Sequence, residues 1–310
     1  MTHFLNRRRF LSITAAAGTA LATGVHARAL PVAQWQGHAL GAGTSMKLAG
    51  LEAADARPVF HAVELELERL ERIFSLYRQD SEIVRLNTTG VLRAPAPELL
   101  SVLDLCNRLH RATGGAFDPT LQPLWMMLAT KGQGASRQDL ATARALVDWP
   151  GMTVSSDVIR FPRRGMALTL NGIAQGYVTD RINALLSQRG LRDILIDMGE
   201  IAARGHRPDG ADWAVGVAMP DGRIVNRVSL RDRAIATSCP EGTLLDTKAG
   251  LGHILDTRTA AYSPKNRLVA VSSSQAAIAD GLSTAGCLLS RQELDHAIGK
   301  FPDTELESFM

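Results

Sequence analysis

Asp280 and Thr284 stand four positions apart in a run of small and apolar residues near the C-terminal end. In a helix, this spacing puts a carboxylate and a hydroxyl on one face, one turn apart. Such oxygen groups suit Mg²⁺, which takes few protein ligands and fills its other positions with water and phosphate oxygens. An Asp and a Thr at this spacing are more commonly surface residues, so the pair alone does not identify a metal site. Because the neighbouring residues are apolar, the carboxylate and the hydroxyl nevertheless need polar partners if this segment is buried.

A second segment, residues 169–177 (TLNGIAQGY), combines small residues with the predicted start of a helix. Small residues at a helix start let a ligand approach the free backbone N–H groups, which favour anions such as pyrophosphate. The alternative is that the glycines serve close packing between the helix and a neighbouring element. The segment by itself does not decide between these interpretations.

His253 opens a segment of alternating polar and apolar residues, 253–259 (HILDTRT). A histidine can act as a general base near neutral pH, although a lone histidine is usually structural. The remaining histidines have no comparable setting: His3, His26, His38, His61, His110, His206 and His296. The absence of CxxC, HExxH and GxSxG patterns removes the common zinc, metalloprotease and serine-hydrolase interpretations.

Periodicity predicts the elements that must position these groups. Apolar residues at helical spacing predict helices over residues 55–77, 98–113, 173–188 and 275–289. The first of these has Asp55 as a cap and Pro58 in its first turn. Short apolar or alternating runs predict strands over residues 194–198, 213–219, 223–230 and 268–273. The mixture indicates an α/β or α+β protein with its strands mostly in the C-terminal half.

Composition excludes several classes of partner. The formal net charge of +3 is accounted for by arginines of the N-terminal segment, so the rest of the chain is close to neutral and predicts no nucleic-acid partner. Beyond that segment, no apolar run is long enough to span a membrane. Cys106, Cys239 and Cys287 lie among apolar or small residues, and their odd number argues against a disulfide framework.

Residues 1–29 have the order of a twin-arginine export signal. Arg7, Arg8 and Arg9 precede Phe10 and Leu11, a mildly apolar stretch follows, and residues 27–29 (ARA) fit a cleavage site. An ordinary Sec signal or a basic tail is the alternative. The pattern predicts a periplasmic protein of one domain, residues 30–310, which is exported folded and can carry a cofactor. No cysteine follows the apolar stretch, so no lipid anchor is expected.

Taken together, the segments resemble the ApbE family, the FAD:protein FMN transferases, over nearly the whole chain beyond the signal. The matching motifs, in the family's order, are residues 43–44 (GT), 74–82 (FSLYRQDSE) with 86–87 (LN), 113–120 (TGGAFDPT) with 123–124 (PL), 170–177 (LNGIAQGY) with Asp180, 198–200 (MGE), 236–238 (ATS), 253–259 (HILDTRT) and 279–285 (ADGLSTA). The export signal and the NGIAQGY variant are similar to the NosX-like members linked to nitrous-oxide respiration.

The resemblance implies a T-fold-like α/β architecture with two lobes around a central FAD cleft. It implies that Mg²⁺ bridges the pyrophosphate of FAD, the flavin donor. A threonine hydroxyl of a target flavoprotein then attacks the phosphorus next to riboflavin, FMN becomes phosphoester-linked, and AMP leaves. The family also implies that the target is a membrane subunit of electron transport.

Roles follow by position. His253 matches the proposed base, and Asp280, Thr284 and the carbonyl of Gly172 match the metal ligands. The residues that match FAD-binding positions are Ala42, Tyr77, Ala116, Phe117, Asp118, Thr169, Gln175 and Ile254. Tyr77 offers an aromatic surface for a ring system.

Three positions depart from the family pattern. Many members have Asp where Thr169 stands, Lys where Gln175 stands and Gly where Cys239 stands. A glutamine brings no charge to the pyrophosphate, so weaker FAD binding or slower transfer is expected. This departure keeps two alternatives open: a periplasmic protein that binds FAD without transfer, and a Mg²⁺-dependent FAD pyrophosphatase that uses water as the acceptor.

Overall fold

The computed structural model describes residues 11–13, 30–246, 250–258, 264 and 266–310. Most of the predicted export signal, including its arginines, lies outside the described residues. The helices are α1 (Ala53–Phe74), α2 (Glu82–Thr89), α3 (Pro97–Ala112), α4 (Gln122–Lys131), α5 (Arg137–Arg144), α6 (Ala174–Gln188), α7 (Ala276–Gly286) and α8 (Arg291–Ile298). The strands are β1 (Leu11–Ile13), β2 (Val32–Ala39), β3 (Ala42–Ala49), β4 (Val91–Arg93), β5 (Thr153–Val154), β6 (Val158–Arg160), β7 (Ile194–Asp197), β8 (Ile201–Arg204), β9 (Trp213–Ala218), β10 (Ile224–Leu230), β11 (Arg233–Ser238), β12 (Leu244–Asp246), β13 (Leu251–Gly252), β14 (Val269–Ser273) and β15 (Thr304–Phe309).

A seven-stranded sheet in the order β15-β14-β11-β8-β7-β3-β2 forms the centre, and its neighbouring strands are antiparallel. Both faces of the sheet are buried, so its central strands are apolar on both sides. Met46 and Ile196 point to a core with the helices, whereas Leu195 and Ile235 point to a second core under β9 and β10. β1 extends the β9–β10 hairpin as a third strand.

The helical face of the sheet carries α6 and α7, which lie against each other. Gly176 makes this approach possible, because a Cβ there would lie 2.6 Å from the Ala276 carbonyl carbon and 2.7 Å from the Ala277 Cα. α3 also packs on α7, and a small sheet in the order β4-β6-β5 contacts α2 through β4. A separate apolar cluster, with Leu124 and Leu255 among its members, joins α4 to the segment before residue 258.

The predicted elements are confirmed with shifted ends. The helices predicted over residues 98–113 and 173–188 are α3 and α6, and the four predicted strands are β7, β9, β10 and β14. The predicted start at Asp55 and Pro58 is wrong: α1 begins at Ala53, and its N-cap residue Glu52 makes no side-chain capping bond. α7 ends at Gly286, three residues before the predicted end, and Ser290 starts α8 with its own capping box.

Cys106, Cys239 and Cys287 are free thiols in buried positions, as their apolar surroundings predict. Burial raises the pKa of the Cys106 and Cys287 thiols well above the usual range, which makes them poor nucleophiles. Among the described residues, no helix has both the length and the apolar character needed to cross a membrane.

Candidate active site

A cleft opens between the central sheet with α6 and α7 on one side and the segment that carries α4 on the other. It brings together all of the predicted site residues: Ala42, Tyr77, Ala116, Phe117, Asp118, Thr169, Gly172, Gln175, His253, Ile254, Asp280 and Thr284. These residues come from six separate stretches of the chain, so only the tertiary fold can assemble them.

Asp280 and Thr284 lie on α7, one helical turn apart, and both line the cleft. Asp280 is 4% exposed, and its Oδ2 accepts a hydrogen bond from the Gly176 N–H at 3.1 Å. The Thr284 Oγ1 lies 3.3 Å from the Ser238 Oγ. A buried carboxylate beside hydroxyl oxygens is a donor set for a small hard cation.

Gly172 brings its backbone close to this pair. A Cβ at this position would lie 3.0 Å from the Thr284 Cγ2 and 3.1 Å from the Thr284 Oγ1, so a larger residue would crowd the donors. The described residues contain no group of three His, Cys, Asp or Glu that could hold a metal. A cation at Asp280, Thr284 and the Gly172 carbonyl would therefore keep most of its positions for water or substrate oxygens, as Mg²⁺ does.

Asp180 fixes the start of α7 from the neighbouring helix. Its two carboxylate oxygens accept hydrogen bonds from the backbone N–H groups of Ala276 at 2.7 Å and Ala277 at 3.0 Å. A carboxylate at a helix N-terminus is favoured by the helix dipole. Burial nevertheless dominates and raises the pKa of Asp180 to about 6. The carboxylate thus places α7, and with it Asp280, relative to α6.

The loop before α6 is held from two sides. The Asn87 side chain donates to the Leu168 carbonyl at 2.8 Å and accepts from the Leu168 N–H at 2.7 Å. The Thr169 N–H donates to the Pro119 carbonyl at 2.9 Å. Of the two interpretations of residues 169–177, close packing applies to Gly176. Gly172 lines the cleft, and ligand binding at this helix start stays a prediction.

Residues 116–118 form a buried wall of the cleft directly after α3. Burial raises the pKa of Asp118, against the effect of its hydrogen bonds with Thr120. The Asp118 Oδ1 accepts from the Thr120 N–H at 2.8 Å and from its hydroxyl at 2.5 Å. The side chain of Asp118 is thus held in one orientation before any ligand binds.

Tyr77 stands at the mouth of the cleft and is 54% exposed. Its ring lies over Gly41, where a Cβ would be 3.0 Å from the ring Cε2. Gly41 has a φ of +78° in the β2–β3 turn, which a residue with a side chain rarely adopts. Ala42 follows at the start of β3, so the turn leaves a flat aromatic surface beside small residues.

His253 lines the cleft directly after β13. Its Nδ1 is 3.1 Å from the Pro240 carbonyl and 3.1 Å from the Thr243 carbonyl. Because carbonyl oxygens only accept hydrogen bonds, Nδ1 carries the proton of the neutral ring, and Nε2 is the basic nitrogen. This tautomer suits a general base, and Ile254 lines the cleft beside it.

Gln175 lies at the base of the cleft and is 8% exposed. Its side chain covers Gly199, where a Cβ would lie 2.7 Å from the Gln175 Cδ. Gly199 has a φ of +106° in the turn between β7 and β8, a region in which only glycine is comfortable. The Gln175 amide therefore fills the space that a side chain at residue 199 would otherwise occupy.

The cleft also contains residues to which the sequence assigned no role: Trp125, Asn171, Glu200, Thr237 and Ser238. Glu200 directly precedes the buried strand β8, and Thr237 is the penultimate residue of β11. A polar residue beside an apolar run was the signal in the sequence that could have identified them. Cys239 lines the cleft as the N-cap of a short 3₁₀ turn, Pro240–Gly242. Nothing in the structure explains why cysteine stands there.

Comparisons with known proteins agree with this architecture. The sequence model of the ApbE family matches residues 40–306. A protein of Vibrio cholerae named FAD:protein FMN transferase is 26% identical over 261 residues, which cover 80% of this chain and 78% of the relative. A protein of Salmonella typhimurium with the same name is 25% identical over 293 residues, covering 87% of this chain and 82% of the relative.

Solved structures show the same fold. The apo form of the flavinyl transferase ApbE from Pseudomonas stutzeri superposes with a TM-score of 0.75 at 26% identity, covering 87% of this chain and 89% of that chain. The ApbE protein from Thermotoga maritima superposes with a TM-score of 0.77 at 20% identity, covering 90% of this chain and 96% of that chain. The mixed α/β architecture predicted from the sequence is thereby confirmed. With its motifs gathered in one cleft and a family match over most of its length, this chain belongs to the ApbE family.

Proposed function

We propose that this protein is an FAD:protein FMN transferase. The observation that carries the proposal is the cleft itself, in which the oxygen donors of Asp280 and Thr284 face the same space as His253. Phosphoryl transfer needs positioning, neutralisation of charge and a group that removes the proton of the attacking hydroxyl. The Vibrio cholerae and Salmonella typhimurium relatives have this activity as their name, and each matches most of this chain.

Mg²⁺ is the proposed cofactor, and it would be held by Asp280, Thr284 and the Gly172 carbonyl. When bound there, it would neutralise the charge of the pyrophosphate oxygens of FAD. The proposed ligand set contains one carboxylate, that of the buried Asp280, which agrees with a cation that takes its remaining ligands from the substrate phosphates. Gly172 leaves the space that this arrangement needs.

In the proposed reaction, the hydroxyl oxygen of an acceptor threonine attacks the phosphorus that carries the riboflavin half of FAD. The Nε2 of His253 takes the hydroxyl proton, because Nδ1–H is already directed at two carbonyl oxygens. A phosphoester bond forms between the threonine and FMN, the bond to the AMP phosphate breaks, and AMP leaves. The buried wall of residues 116–118 and the half-exposed Tyr77 hold the two ends of FAD.

The acceptor and the compartment belong to the same proposal. The N-terminal arginines and apolar stretch support export to the periplasm by the twin-arginine route. The acceptor is a flavoprotein with a threonine in an accessible loop, of the kind that membrane electron-transport subunits carry. The NGIAQGY variant supports a place among the NosX-like members linked to nitrous-oxide respiration.

Incubation of residues 30–310 with FAD, Mg²⁺ and an acceptor protein tests the proposal. The acceptor should gain the mass of one FMN less one water, with an equal amount of AMP released. An acceptor whose threonine is replaced by valine is the matched control and should gain no mass. FMN found free in solution would identify a pyrophosphatase instead, and FAD binding without AMP release would identify a flavin-binding protein.

A further inference from the structure

His110 lies in the last turn of α3, outside the cleft lining, and touches the wall formed by residues 116–118 from behind. Its Nδ1 is 3.0 Å from the Phe117 carbonyl oxygen. Since that oxygen only accepts, Nδ1 is the donor, and the neutral ring is held in the Nδ1–H form. The side chain thus makes a directed hydrogen bond to the backbone of a cleft residue.

Thr113 holds the backbone N–H of Phe117. Its hydroxyl accepts from the Phe117 N–H at 3.1 Å and donates to the Leu109 carbonyl at 2.8 Å. The chain can turn back onto the helix because Gly114 and Gly115 have φ values of +57° and +81°. Both backbone groups of Phe117 are therefore clamped by side chains from the end of α3.

Phe117 lies beside Gly172, which is one of the proposed metal ligands. Phe117 is 6% exposed, and its ring Cε2 lies 3.4 Å from the Cβ position of Gly172. Asp118, the next residue, has its Oδ2 3.9 Å from the His110 Nδ1. A shift of the Phe117 backbone would move the ring away from Gly172 and turn the Asp118 side chain.

His110 is itself held by packing on its far side. Its ring lies 6.2 Å from the Trp149 ring, centroid to centroid. The two residues share a second cavity with Asn107 and Arg111, separate from the cleft. Because His110 is not among the residues that line the cleft, we expect it to act on a bound ligand through the wall of residues 116–118, which it contacts at Phe117.

We infer that His110 is a positioning residue for FAD, which sets the wall of residues 116–118 by donating one hydrogen bond to the Phe117 carbonyl. This inference rests on the proposed function only in naming FAD as the ligand. Loss of the donor leaves a buried carbonyl without its partner, and such a carbonyl favours a displaced backbone.

Three variants of the mature protein separate this role from simple packing. The side-chain nitrogen of Asn is separated from Cα by the same number of bonds as the His Nδ1. The side-chain nitrogen of Gln is separated from Cα by the same number of bonds as the His Nε2. His110→Leu should weaken FAD binding about tenfold, as the loss of one hydrogen bond to a buried group does. His110→Asn should restore binding to within about threefold of the wild type, and His110→Gln should resemble His110→Leu.

Fluorescence titration with FAD measures the affinities, and thermal unfolding shows which variants fold. In a transfer assay, the KM for FAD should rise in His110→Leu while kcat changes less. If His110→Leu does not fold, the comparison of the FAD affinities of His110→Asn and His110→Gln still tests the inference. Equal FAD affinity of His110→Asn and His110→Gln overturns the inference. Wild-type protein that binds FAD but transfers no FMN overturns the proposed function alone.

Discussion

Gly176→Ala is a substitution for which the structure predicts a large effect from a single methyl group. The new Cβ would lie 2.6 Å from the Ala276 carbonyl carbon and 2.7 Å from the Ala277 Cα. Carbon atoms in contact are about 3.5–4.0 Å apart, so the overlap is about 1 Å. Both obstructing atoms are backbone, and relief therefore requires α7 to move away from α6.

This movement has two measurable consequences. Overpacking of this kind costs about 1–3 kcal/mol, which lowers the melting temperature by roughly 2–10 °C in a chain of this size. It also stretches the hydrogen bond from the Gly176 N–H to the Asp280 Oδ2, now 3.1 Å, and carries Asp280 away from Gly172. A misplacement of about 1 Å at a reacting centre can reduce the rate about 10²-fold.

Thermal unfolding and the FMN-transfer assay measure the two effects in the same preparation. Gly134→Ala is the matched control, because a Cβ there meets nothing within 4 Å and the backbone is not in the left-handed region. The control should keep the wild-type melting temperature and rate. A Gly176→Ala protein with wild-type stability and activity would refute the reasoning that this glycine sets the distance between α6 and α7.

Four further predictions concern other residues. His253→Gln should slow FMN transfer by roughly 10²–10⁴ in a single-turnover assay, with FAD affinity nearly unchanged, because an amide cannot take the acceptor proton. Gln175→Lys should tighten FAD binding about fivefold by titration, and weaker binding would mean that residue 175 does not face the phosphates. Asp180 has a folded-state pKa of about 6, above the ordinary value of 3.8, so its contribution to stability is present at low pH and is lost as pH rises through 6. The melting temperature of the wild type should therefore fall relative to that of Asp180→Asn between about pH 4 and pH 7, and a constant difference would contradict the raised pKa. Replacement of both Arg8 and Arg9 by Lys should leave the protein in the cytoplasm on cell fractionation, whereas periplasmic accumulation would favour the Sec route.

The sequence by itself determined the helices and strands whose apolar periodicity is strong. α3 and α6 follow the predicted residues closely because each buries one regular face against a core. Asp280 and Thr284 are four residues apart, so the formation of a helix is enough to bring both side chains to the same face of α7. The β2–β3 hairpin, α2, α4, α5, α8 and β15 were not predicted, because short or weakly patterned segments take their structure from the elements they contact.

The order of motifs along the chain was also enough to predict the family and to select residues that line one cleft. The family match and the shared lining of the cleft agree with that prediction. The metal, the acceptor and the export route remain predictions, since they concern molecules and compartments outside the chain. Residue types and spacing can indicate such partners, but binding depends on the free energy of a complex.

Only the tertiary structure decided how the individual side chains act. The tautomer of His253 depends on carbonyl oxygens of Pro240 and Thr243, which precede it by ten residues or more and meet it only after folding. His110 had no distinguishing pattern in the sequence, yet it holds the Phe117 carbonyl because Gly114 and Gly115 reverse the chain. A local pattern reports which face of an element is buried. Contacts between separate segments depend on how whole elements pack, and no single stretch of sequence encodes that packing.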